Sequence, residues 1–118
     1  MIFSACLFDV EGMVLLDPIP EEYYEWWYSV GECLGETKDF NSVEYYIVPG
    51  VYEFECFDSL KCEGTHQDGR IILAGEMFLD SYLVSHEQIH SYGYPDHKSE
   101  AFNCSVVNER RPCRYCSD

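Results

Sequence analysis

A chain of 118 residues has room for one domain and one core, which is small for a protease. Its 22 acidic residues against 7 Lys and Arg leave a net charge of -15, which excludes recognition of nucleic acid through its phosphates and electrostatic docking on anionic lipid. No stretch is apolar for long enough to cross a membrane as a helix. Seven cysteines in so short a chain indicate an oxidising compartment, and with it an exported protein; a monomer is the expected state.

Residues 1–20 read as a lead-in. Met1-Ile2-Phe3-Ser4-Ala5-Cys6 resembles the end of a bacterial lipoprotein signal, with Cys6 as the residue that would carry the lipid anchor and the following residues as tether. Pro18 and Pro20 punctuate it, and the folded domain is expected over 21–118. Residues 21–34 predict a helix: Glu21 and Glu22 suit its first turn, and Tyr23, Trp26, Trp27, Val30 and Leu34 recur at helical spacing. Gly35 is a C-cap candidate. Residues 43–48 are rich in β-formers and stop at Pro49-Gly50, a turn signal. Residues 51–57 alternate with period two, as a half-buried strand does, with Glu53 and Glu55 on the wet side.

Cys56 and Cys62 flank a loop that a disulfide could close, while Cys33 and Cys104 make the most useful long-range pair. Residues 64–69 read as a loop carrying a solvated His66. Arg70-Ile71-Ile72-Leu73-Ala74 is a short apolar strand, and Asp80 is an N-cap candidate for a helix that runs to about Tyr92. At the other end, Cys113-Arg114-Tyr115-Cys116 reads as a local disulfide or a tail bridge.

That second helix contains His86-Glu87-Gln88-Ile89-His90. Residues four apart lie one turn above each other, so His86 and His90 project from one face and can grip a Zn²⁺ ion together. Glu87, rotated about 100° around the axis, reaches a water beside the metal and can act as general base. Gly93 suits a left-handed helix end and Pro95 stops the helix from resuming. The chain then turns back and returns Asp96 or His97 as third ligand. Three protein ligands and one open position describe a catalytic zinc site, whereas four would close it.

The run His86 to His97 resembles the metzincin zinc peptidases, and within them most closely the snapalysin-like branch, whose extended motif has aspartate at the eleventh position, here Asp96. The resemblance covers roughly residues 79–104. It implies His86, His90 and Asp96 as metal ligands, Glu87 as general base, and a peptide or protein as substrate. It also implies that the strand before the zinc helix, here 71–74, lines the cleft and pairs with an extended substrate. The family's methionine turn has no counterpart, since no methionine follows Met77; Cys104-Ser105-Val106-Val107 stands at about that place, with a valine expected as the floor. Tyr92, Tyr94 and Tyr115 are candidates to stabilise an oxyanion.

The expected fold is α+β: a minimal zincin-like domain with a small twisted sheet, a backing helix and an active-site zinc helix. The expected function is hydrolysis of peptide bonds by a small exported zinc enzyme. The alternative is a surface lipoprotein or binding module in which zinc only stabilises the fold.

Overall fold

The computed structural model describes residues 9–56 and 60–105. Cys6, Val106, Val107, Cys113, Tyr115 and Cys116, and the roles expected for them, lie outside the described residues. The fold is α+β.

A helix, α1, spans Glu21–Leu34, and its 3.6-residue period turns Tyr23, Trp27 and Val30 inward as a buried stripe. Gly35 ends it at φ 72°, a conformation glycine adopts without steric penalty, and the Gly35 and Glu36 N–H groups close on the last carbonyls. The expected lead-in contributes a strand of its own: β1, Val14–Leu15, pairs antiparallel with β2, Glu44–Val48. Of the expected strand at 51–57, Phe54–Glu55 alone is regular among the described residues (β3), and it pairs with β4, Lys61–Cys62.

Residues 64–69 differ most from expectation. Gly64–Gln67 form a strand, β5, joined by Asp68 and Gly69 (φ 77°) to β6, Arg70–Ala74, in an antiparallel hairpin. A two-residue Asp-Gly turn suits such a hairpin, because glycine takes the positive φ of its second position without steric penalty. The sheet order is β1-β2-β6-β5, with β2 and β6 parallel and the other pairs antiparallel. So β6 is an interior strand, with both edges taken, and the outer strand beside the cleft is β5 rather than 71–74.

Burial on both faces explains why β6 reads as an unbroken apolar run. Ile71 and Leu73 join Tyr23, Trp27 and Val30 of α1 in one core cluster. Ile72 and Ala74 face the other way, onto Val10, Phe54 and Cys56. The second helix, α2, spans Ser81–Ser91 and packs on the α1 side. Asp80 caps it, its Oδ1 accepting from the Leu83 N–H at 3.0 Å.

Gln88 is fully buried and fixes the rotation of α2, since its Nε2 donates to the Tyr23 carbonyl at 3.1 Å and to the Tyr45 hydroxyl at 3.0 Å. Cys33 and Cys104 are bridged, as are Cys56 and Cys62, which fits an oxidising environment. The first bridge ties the end of α1 to the segment Glu100–Ser105, a short 3-10 stretch that follows the turn after α2.

Candidate metal centre

The α2 helix is buried along nearly its whole length, although it carries Ser, His, Glu and Gln. Such groups are tolerated inside only where their polar atoms have something to bind. His86 and His90 stand one turn apart on it, with ring centroids 4.9 Å apart. The helix ends at Tyr92, and Gly93 follows at φ 113°, its N–H donating to the His90 carbonyl at 2.9 Å. The reversal that follows returns His97 against the same two rings, 5.0 Å from His86 and 4.8 Å from His90 by centroid.

The ligand nitrogens of His86, His90 and His97 all lie within 4.8 Å of one another, so the three residues could hold a metal ion. His90 is the best oriented. Its Nδ1 is 2.8 Å from the Tyr94 carbonyl oxygen, so that nitrogen carries the hydrogen and Nε2 is left as the bare donor. Its Nε2 then lies 2.8 Å from His97 Nε2. Two imidazole nitrogens aimed at each other in this way suit a shared cation, and three imidazoles form a donor set that fits a divalent transition metal.

Burial first, and neighbouring imidazoles second, push His86 down to about 3. Burial, and then the neighbouring His66, also push His90 down to about 3, against an opposing hydrogen bond to Tyr94. Both rings are therefore neutral at physiological pH, which is the state a ligand needs.

Asp96, the position indicated by the motif, is exposed and belongs to no candidate ligand group among the described residues. Its Oδ1 accepts from the Lys98 N–H at 2.9 Å, and its carbonyl from the Ser99 N–H at 2.9 Å. These bonds shape the turn that points the neighbouring His97 inward. The third member of the cluster is His97.

Phe102, fully buried, makes the floor: its ring centroid lies 4.8 Å from His86, 4.8 Å from His90 and 5.5 Å from His97. No motif pointed to it. Of the tyrosines considered for an oxyanion, Tyr92 donates to the Trp27 carbonyl in the core and Tyr94 is bound to Glu36.

A cleft of about 710 Å³ opens in front of the cluster. Leu60, Glu63 and Gly64 line it on the sheet side, and Leu83 and Glu87 on the helix side. Glu87 reaches it as a nearly buried carboxylate, its side chain 6% exposed. His66 is also in this wall and is not the solvated loop residue expected: its Nδ1 lies 3.3 Å from Glu87 Oε1, and its ring stacks on His90 at 3.9 Å. The signal that could have found it is the Asp68-Gly69 turn. Once that turn makes 64–67 a strand beside β6, the period of two puts Gly64 and His66 on one face.

Compared with known proteins, the chain matches no family model, no curated protein and no solved structure.

Proposed function

We propose that this chain is a small zinc-dependent peptidase of minimal zincin-like build, as its resemblance to the metzincins implies, with His86, His90 and His97 as metal ligands and Glu87 as general base. One observation carries the reading. A carboxylate one residue along the helix from the first imidazole faces the same open cleft as three converging imidazoles. A metal that only stabilises the fold makes no chemical use of a carboxylate beside it.

When bound, a zinc ion polarises the scissile carbonyl and acidifies a water. The chain's own residues do the rest. Glu87 takes a proton from the attacking water as its oxygen bonds to the carbonyl carbon, and delivers it to the amine as the C–N bond breaks. The outer strand β5 lies along the cleft, where an extended peptide would add to the sheet through main-chain hydrogen bonds. The two disulfides support action outside the cytoplasm.

The test is cleavage of a quenched, sequence-diverse peptide library by zinc-loaded, disulfide-intact protein, with Glu87→Ala alongside. Cleavage by the wild type that vanishes in the variant, with one zinc retained in both, is the expected result. Absence of cleavage by either, with one zinc in each, would sink the peptidase reading and leave a zinc that only stabilises the fold.

A further inference from the structure

We propose that His66 is a positioning residue for Glu87, holding its carboxylate at the cleft wall by donating an Nδ1–H hydrogen bond from the outer strand of the sheet. The purpose of this contact rests on the peptidase reading; the contact itself does not.

Glu87 is 4% exposed, and a carboxylate so enclosed needs a donor. His66 Nδ1 supplies one at 3.3 Å from Oε1. The other oxygen, Oε2, depends on the glycine in the same strand: a Cβ added at Gly64 would come within 3.3 Å of it. Positions 64 and 66 lie two apart, on one face of β5, so the strand that carries the donor also leaves, at Gly64, the room that Oε2 occupies. The His66 ring cannot swing away freely, because it lies nearly parallel to His90 (13° between planes) at 3.9 Å. A carboxylate only accepts, so the hydrogen of the pair belongs to His66 Nδ1. A base held at fixed distance from the reacting centre loses no time to reorientation, which is where such contacts contribute to rate.

His66, Glu87 and His90 also bring ligand atoms within 4.8 Å of one another, which raises a second cation as a rival occupant. The tautomer of His90 argues against it. Its Nδ1 is engaged by Tyr94, and its one remaining nitrogen is turned to His97 in the three-imidazole cluster.

The experiment uses the full chain, zinc-loaded and disulfide-intact, with two variants. His66→Phe keeps a ring against His90 and removes the donor; His66→Asn restores a donor near Nδ1 and removes the ring. One zinc equivalent is expected in all three proteins. Long-range ¹H–¹⁵N correlation on the wild type is expected to show a protonated Nδ1 on His66. In peptide cleavage, His66→Phe should lower kcat roughly 10–100-fold, the range carried by partners that orient a metal site, with KM little changed. His66→Asn should recover most of the loss.

A bare Nδ1 on His66 would overturn the proposal whether or not the protein cleaves peptides. So would a second zinc equivalent that His66→Phe abolishes, or a kcat in His66→Phe equal to that of the wild type. Failure of the wild type to cleave anything would count against the peptidase reading alone, because the tautomer still decides the contact.

Discussion

Asp96 and His97 are adjacent, and a loop can present either one to a metal, so which of them joins His86 and His90 is decided by a single turn. The Asp96 carboxylate is occupied in shaping that turn, through the Lys98 N–H, while the His97 ring faces His90. Two substitutions separate the roles. Asp96→Asn keeps an oxygen for Lys98 and removes the charge, so zinc affinity, read by chelator competition, is expected to stay unchanged. His97→Ala removes the third ligand proposed above and should cost more than the roughly 10–100-fold typical of an outer partner. The reverse pattern would restore Asp96 as the ligand. The motif's spacing marks the residue at the turn, but only the hydrogen bonding within the turn tells which of two neighbours points inward.

The elements divide into those visible in the pattern of residues and those set by long-range pairing. Both helices were legible, because α1 repeats its aromatic residues at helical spacing and α2 begins at a capping Asp80 and ends before Gly93. The bridge between Cys33 and Cys104 was legible too, as the pair that joins the first helix to the segment beyond the metal loop. Strand β5 was not. Gly64-Thr65-His66-Gln67 has no apolar alternation, and it becomes a strand because β6 offers it an edge and Asp68-Gly69 turns the chain back. The position of β6 inside the sheet was equally hidden, since a short apolar run fits a buried strand without saying which neighbours bury it. Phe102 was missed for a related reason: its role depends on the bridge that draws Glu100–Ser105 under the histidines.

The last point yields a prediction for the bridge. Closing a loop with 71 residues of separation restricts the unfolded chain, and its removal should cost about 4 kcal/mol in the chain-entropy account. Phe102 sits two residues before Cys104, so the floor of the cluster should loosen as well. In the double variant Cys33→Ala/Cys104→Ala, urea unfolding should show a stability loss of that order, and zinc should bind more weakly. Loss of stability with unaltered zinc affinity would show that the Phe102 floor is held by packing alone.

For the whole molecule, two opposing electrostatic effects govern the response of the metal-free protein to acid. The net charge of -15 is self-repulsive, and protonating carboxylates relieves it, but ordinary carboxylates take up protons mainly near pH 4. The buried imidazoles act earlier. His86 and His90 are held down to about 3 in the folded state, against about 6.5 when unfolded. Between those values the unfolded chain binds protons that the folded one refuses, so stability falls as pH is lowered from about 6.5 towards 3 and does not fall further on this account below that.

Between pH 6.5 and 5 the histidine effect therefore runs nearly unopposed. With two rings contributing, the loss should be on the order of 2 kcal/mol per pH unit there, read from urea unfolding of metal-free protein. His86→Gln removes one of the two rings and should roughly halve the slope. A flat profile over this window in the wild type would mean that the imidazoles open to solvent when no metal holds them. The three-histidine cluster would then be assembled by the metal, whereas a steep slope marks a site in which the fold keeps His86 and His90 dry in advance, at a cost in acid stability.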